Sequence, residues 1–328
     1  MDGSTQKIKT IGVMTSGGDA PGMNPFIRAV VRAGCAYGLK VLGVEGGFEG
    51  LIHGKFRPMG ARDVGGILQR GGTILQTARS QEFREPNGQR EAVRQINNAE
   101  MDALIIAGGD GSLHGAQKLV EKGIPFVGVP ASIDNDIYGT DMCIGVDTAL
   151  NTIVDAIDKI RDTASSHNRA FLVETMGRES GYLAIQAGII TGAEMVLIPE
   201  NKTPPQEVAT AIEEAYKRGK THAIIVVAEG YEPHTLELSK MIDAMDIGFT
   251  TRVTILGHIQ RGGKPTAFDR LLATRFGVKA VEFLLAGQTN VMAGLNGREI
   301  LPIPIDDVVS NVKKISQDYL RMAQILAR

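Results

Sequence analysis

Two acid-bearing turns follow two apolar strands in quick succession between Ala107 and Gly139. The first runs Leu104-Ile105-Ile106-Ala107 into Gly108-Gly109-Asp110-Gly111-Ser112. The second runs Val127-Gly128-Val129 into Pro130-Ala131-Ser132-Ile133-Asp134-Asn135-Asp136. Glycine lacks a Cβ, so such a turn lets backbone approach phosphate oxygens closely. A carboxylate in the same turn repels bare phosphate, and Asp110 therefore points to a metal between the two, in kind Mg²⁺. One of Asp134 and Asp136 can accept a hydroxyl proton while the other is hydrogen-bonded in support. Only about 20–25 residues separate the two turns, so they reach one crevice if their strands are neighbours. The chemistry implied is phosphoryl transfer, which needs positioning and charge neutralisation more than covalent help. The plain structural alternatives are a tight strand-to-helix turn at 108–112 and an Asx turn at 134–136.

Arginines that could neutralise such charge stand beside glycines. Arg79 follows Gly71-Gly72-Thr73, Arg169 precedes an apolar run, Arg178 sits in Met176-Gly177-Arg178, and Arg252 begins a strand leading to Gly257-His258-Ile259-Gln260-Arg261-Gly262-Gly263. Any single arginine is more often a solvated surface charge, but a guanidinium fork suits phosphate and several gather at strand ends. His258 reads equally as a structural histidine or a ligand contact. Near the N-terminus, Thr15-Ser16-Gly17-Gly18-Asp19-Ala20-Pro21-Gly22-Met23-Asn24 links a strand to a helix bearing Arg28 and Arg32. It is a second anion cradle or a tight turn, and it is neither a Walker A nor a Rossmann motif. No cluster has catalytic-zinc spacing and no nucleophile elbow is present.

The elements that must hold these turns are short apolar runs at 11–14, 41–44, 104–107, 126–129, 171–174, 195–198, 224–228 and 253–256. Most are continuous rather than alternating, as strands covered on both faces by helices are. Between 149 and 164, Leu150, Ile153, Val154, Ile157 and Ile160 form one helical stripe, with Thr148 as its expected N-cap. Thr203-Pro204-Pro205 marks the start of another helix that ends near Gly219. Alternating β and α predicts an α/β fold with parallel sheets and ligands at strand carboxyl ends. At 328 residues two domains are expected, with crossings around 143–147, 257–264 and 302–305. Lys+Arg number 35 against 37 Asp+Glu, so no global field argues for nucleic acid or membrane. Two cysteines make no disulfide framework, and neither a secretory signal nor a membrane-length apolar stretch is visible, so the chain reads as a soluble cytoplasmic protein.

With these motifs in this order over almost the whole length, the chain resembles the bacterial-type ATP-dependent 6-phosphofructokinases. The resemblance implies two Rossmann-like three-layer domains with mainly parallel sheets and the active site in the cleft between them. Residues 1–145 plus about 259–303 would bind ATP and Mg²⁺, and 146–258 plus about 304–328 would bind fructose 6-phosphate. It implies transfer of a phosphoryl group from ATP to fructose 6-phosphate, giving fructose 1,6-bisphosphate in glycolysis. Asp134 then matches the base for the sugar 1-hydroxyl, with Asp136 beside it, and Asp110 the Mg²⁺ residue. Gly18, Arg79, Ser80, Gly109, Gly111 and Ser112 line the ATP site, and Arg79 and Arg178 offset charge on the moving group. Ser132, Ile133, Met176, Gly177, Arg178, Glu229, His258 and Arg261 hold the sugar phosphate. Arg169 and Arg252 match two arginines that reach it from a neighbouring subunit, which implies a homotetramer with shared active sites. Arg28, Arg32, Arg161, Glu194, Arg218, Lys220 and His222 match an effector site for ADP or GDP and phosphoenolpyruvate, although Ala61, with Arg62 next to it, stands where the pattern has an arginine.

The donor is a separate question. Similar enzymes that use pyrophosphate usually carry aspartate at the position of Gly111 and lysine at that of Ala131. An aspartate at 111 would crowd and repel a nucleotide α-phosphate, so Gly111 favours ATP. Ala131 is not that lysine, yet it also departs from the glycine usual in ATP enzymes, as Ser132 departs from threonine. Three other readings remain: a pyrophosphate-dependent enzyme, a non-catalytic sensor of sugar phosphate or nucleotide, and a lipid or NAD kinase. The last shares Gly-Gly-Asp-Gly but leaves 134–136 and 258–263 without a role.

Overall fold

The computed structural model describes residues 8–164, 166, 169–248 and 250–326. The chain divides into two compact units. One comprises Met1–Ser132, Ile137–Asp147 and Arg261–Lys313, the other Ile133–Asp136, Thr148–Gln260 and Lys314–Arg328.

In the first unit, seven strands form one sheet: β1 (Thr10–Thr15), β2 (Lys40–Val44), β3 (Phe56–Pro58), β4 (Ala103–Gly108), β5 (Phe126–Pro130), and β10 (Val291–Asn296) with β11 (Glu299–Pro304). Their order is β11-β10-β5-β4-β1-β2-β3. The inner pairs are parallel, while β3 and β11 run antiparallel at the two edges. Every residue of β1, β4 and β5 is buried, which a sheet achieves only when helices cover both faces. One set of helices is α1 (Met23–Ala36) packed on α9 (Ala267–Leu285). Another joins α3 (Pro86–Asn98), α4 (Asp110–Val120) and α10 (Ile305–Ser310), and α2 (Gly47–Ile52) packs on α3. Parallel pairing of β1 with β4 places the 15–19 turn beside the end of β4, where Ser16 N–H donates to Ala107 O at 2.9 Å.

The second unit has a wholly parallel sheet in the order β7-β8-β6-β9, from β6 (Ala170–Thr175), β7 (Met195–Leu197), β8 (Ala223–Ala228) and β9 (Thr251–Ile255). Alternate residues of β6 and β8 (Ala170, Leu172, Ala223, Ile225, Val227) share a core with Val208 and Ile212 of α7 (Pro205–Lys217) and Leu238 and Ile242 of α8 (Thr235–Asp243). Helix α6 (Tyr182–Thr191) packs on β6, β7 and β8 and also on α11 (Gln317–Leu326), and α5 (Val146–Ala164) carries the long stripe. No helix among the described residues is long and apolar enough to cross a membrane.

The fold is α/β with mostly parallel sheets, as the apolar runs require, and three expectations change in detail. The chain passes to the second unit for the last time between Lys313 and Lys314, not near 303. The reason is the β10–β11 hairpin and α10, whose Ile305 and Val308 are buried, whose Asp306 accepts from Gln117 Nε2 of α4 at 2.6 Å, and beyond which Lys313 donates to Asp141 O at 3.0 Å. Residues 133–136 lie with the second unit rather than the first. Thr148 does not precede its helix: α5 begins at Val146, directly after Gly145, whose backbone (φ 101°) is left-handed and whose N–H is held by buried Asp269 at 2.8 Å.

Candidate active site

In the first unit the 108–112 turn joins β4 to α4. Gly109 is the last residue before the helix and Asp110 its first, so the carboxylate stands at the positive end of the helix dipole. Asp110 is exposed, with His114 Nδ1 3.3 Å from its Oδ2. One exposed carboxylate at a glycine turn suits Mg²⁺, which keeps most of its water and takes few protein ligands. Ser112 is buried, and Gly108 sits between its side chain and Ser16 O, with room for no Cβ. Gly111 is different. A Cβ built there meets no atom within 4 Å, so the protein itself places no demand for glycine, and the space beside Asp110 is open.

The other first-unit residues stand at several places around these turns. Arg261 packs against Gly18, where a Cβ would meet its Nη1 at 2.5 Å, and donates to Asp19 O at 3.2 Å. Ser132 is buried just past the end of β5, and a Cβ on Gly109 would stand 3.7 Å from its side chain. Arg79 is exposed. Ser80 is engaged within the chain: its Oγ accepts from Phe83 N–H at 3.1 Å, and its hydrogen bond is the first reason the Glu49 carboxyl sits below its ordinary range, His53 adding to it. Asn24 was legible only as part of the 15–24 motif, yet it is buried and anchors the glycine loop before Arg79. Its Nδ2 donates to Arg70 O and Gly71 O, both at 3.1 Å, and its Oδ1 accepts from Ile74 N–H at 2.8 Å.

In the second unit Asp134 is 2 % exposed, and Arg178 Nε lies 3.6 Å from its Oδ2. Ile133 is buried, Asp136 half-buried, and Asn135 between the two acids has φ 51°, the left-handed turn that an Asx residue tolerates. The Met176-Gly177-Arg178 turn leaves the carboxyl end of β6 with φ 148° at Gly177 and 52° at Arg178. That rare backbone at Arg178 is held from two sides. Glu229 Oε1 accepts its N–H at 2.7 Å, and Gly230 lies so close that a Cβ would stand 2.1 Å from Arg178 O. His258 lies in the 3₁₀ turn Gly257–Arg261 past the end of β9.

Arg169 and Arg252 are not brought to this cluster. Arg169 precedes β6 and Arg252 is the second residue of β9, at the amino ends of strands whose carboxyl ends carry Met176 and His258. At about 3.3 Å per residue, the length of β6 separates them. The residues matched to an effector site fall in both units. Glu194 is buried with both oxygens in use, accepting from Lys220 Nζ at 2.8 Å and Ile224 N–H at 2.6 Å. Arg161 donates to Thr191 O at 2.5 Å, Arg218 pairs with Glu214 at 3.6 Å, and His222 contacts Thr221. Arg28 and Arg32 lie one turn apart on α1 in the first unit.

Mainly parallel α/β sheets with glycine and acid turns at strand carboxyl ends define a doubly wound protein built to bind anionic ligands there. Residues 10–284 match the family described as phosphofructokinase. The ATP-dependent 6-phosphofructokinase of Thermotoga neapolitana is 50% identical over 98% of this chain and 100% of its own length, and a Thermus thermophilus counterpart is 49% identical with the same coverage. Among solved structures, phosphofructokinase from Pichia pastoris in the T-state superposes with a TM-score of 0.87 at 39% identity, covering 94% of this chain and 36% of that one. The chain thus spans about a third of the Pichia protein's length. A pyrophosphate-dependent phosphofructokinase from Marinobacter aquaeolei shares the fold, with a TM-score of 0.82 at 20% identity over 98% of this chain and 92% of that one. The chain belongs to the phosphofructokinase family.

Proposed function

We propose that the chain is an ATP-dependent 6-phosphofructokinase, transferring the γ-phosphoryl group of ATP to the 1-hydroxyl of fructose 6-phosphate. The observation that carries the acceptor chemistry is buried Asp134 with the Arg178 guanidinium beside it. Asp134 takes the proton of the attacking hydroxyl, while Asp136 supports it from the same turn. Arg178, freed from strand geometry by its left-handed backbone, offsets charge on the moving phosphoryl group, and Arg79 does so from the donor side. Met176, Gly177, Glu229, His258, Ile133, Ser132 and Arg261 hold the sugar phosphate. Gly18, Ser80, Gly109, Gly111 and Ser112 line the donor site, Gly111 leaving its side of the turn open to the nucleotide. Mg²⁺ bound through Asp110 would neutralise the donor phosphates.

Arg169 and Arg252 act on the sugar phosphate of a second copy of the chain, in a homotetramer. Their place at the strand ends opposite Met176 and His258 supports this, since among the described residues no turn of their own unit brings them there. Effector binding by ADP or GDP and phosphoenolpyruvate at Arg28, Arg32, Arg161, Glu194, Arg218, Lys220 and His222 follows the same family pattern. Ala61 is the position at which that response would weaken.

Initial rates with fructose 6-phosphate and either Mg-ATP or Mg-pyrophosphate test the donor. Turnover with ATP is expected, and turnover confined to pyrophosphate would overturn the assignment. A second expectation concerns the close approach at Gly230. Gly230→Ala pushes a methyl into Arg178 O, so kcat should fall about tenfold or more while the Mg-ATP KM stays near wild type. Unchanged kcat would show that the Arg178 turn tolerates displacement.

A further inference from the structure

Strands β6 and β9 are paired as far as Glu174 and Ile255, and Leu256 N–H still reaches Glu174 O at 3.1 Å. Beyond that point the two chains diverge into separate turns, one carrying Met176, Gly177 and Arg178, the other carrying His258. The Gln260 side chain joins them. Gln260 is 0 % exposed; its Oε1 accepts from Met176 N–H at 3.1 Å and its Nε2 donates to Gly257 O at 2.9 Å. With no exposed surface, Gln260 cannot touch a ligand and acts only through these two turns.

We propose that Gln260 is a positioning residue for the sugar phosphate, locking the Met176 turn and the His258 turn into one register. The inference rests on the function proposed above and assigns it a residue that the site pattern does not contain. Both turns need such a tie. Gly177 and Arg178 adopt φ of 148° and 52° and Gly257 one of 55°, none of which a strand ladder would hold. The amide completes a connected set: Gln260 to Met176, then Arg178 N–H to Glu229 Oε1, then Arg178 Nε to Asp134. A group that cannot hydrogen-bond at position 260 leaves a buried N–H and a carbonyl unmatched, and the turns move to find partners.

The test is the full-length chain with Gln260→Met, of the same length but without the hydrogen bonds, and Gln260→Glu, which keeps the acceptor for Met176 N–H. KM for fructose 6-phosphate, KM for Mg-ATP and kcat are measured for each. Gln260→Met should raise the fructose 6-phosphate KM about tenfold or more, leave the Mg-ATP KM within about twofold, and be partly rescued in Gln260→Glu. A fructose 6-phosphate KM within about twofold of wild type, or both KM values rising by one factor, overturns the proposal. Should the Met variant fail to fold, Gln260→Ala, which also removes both hydrogen bonds, decides by the same comparison. Calorimetric binding of fructose 6-phosphate reads the same shift without turnover. A wild type that binds the sugar phosphate but does not phosphorylate it therefore defeats the kinase reading alone, and one that binds none defeats both.

Discussion

Replacing Asp134 by serine should lower kcat by about 10²–10⁴-fold while fructose 6-phosphate binding is largely kept. Burial removes Asp134 from bulk water, and the Arg178 guanidinium 3.6 Å from its Oδ2 keeps a charge partner in place. The serine hydroxyl fits the space of the carboxylate but cannot accept a proton at neutral pH. The attacking 1-hydroxyl must then lose its proton to water. Steady-state rates at saturating ATP, with sugar phosphate binding measured separately, divide the base from a binding role. A loss below about tenfold would remove Asp134 as base, and lost binding with unchanged kcat would make it a recognition residue instead.

Gly111→Asp carries the second large effect. The first-turn position on α4 favours a carboxylate through the helix dipole, and the new Cβ meets no protein atom within 4 Å. Folding stability should therefore stay within about 0.5 kcal/mol of wild type. The new charge beside Asp110 faces the nucleotide phosphates instead. At a few ångströms a like-charge contact is worth several kcal/mol even at an effective dielectric of about 20, and screening still leaves about 10²-fold in kcat/KM for Mg-ATP. Pyrophosphate use should not appear from this change alone, because Ala131 supplies no lysine to compensate the smaller donor. Thermal melting paired with rates on both donors checks each part. A normal Mg-ATP rate would place the α-phosphate away from Gly111.

Much of this was legible in the sequence because it depends on residues close together in the chain. Each of the eight apolar runs coincides with a strand of one of the two sheets. In β1, β4, β5 and β8, buried throughout, continuous Val, Ile, Leu and Ala are what a strand covered on both faces requires. Strands β7 and β9, at the edges of their sheet, stay partly exposed. The glycine turn ending in Asp110, and the acids at 134 and 136, follow strand ends for the same local reason. What escaped is equally physical. Strand β3 is three residues long, and the β10–β11 hairpin holds Gly294, Pro302 and Pro304, which dilute any strand signal. The start of α5 is not legible because the residue that fixes it, Asp269, is 124 positions from Gly145.

The sequence by itself determined the residue types, and with them the chemistry proposed: an acid in a glycine turn suited to a metal, two acids suited to act as base and support, and arginines suited to phosphate. The pair of turns between Ala107 and Gly139 pointed to phosphoryl transfer before any fold was known. Only the tertiary structure decided which of those residues meet. It placed residues 133–136 with the second unit, set Arg169 and Arg252 at the strand ends opposite Met176 and His258, and left Gly111 facing open space. It also joined Met176 to Gln260 across 84 positions. Residue type is local, but strand direction and hydrogen-bond partners are fixed only when distant segments pack, so no reading of spacing along the chain could supply them.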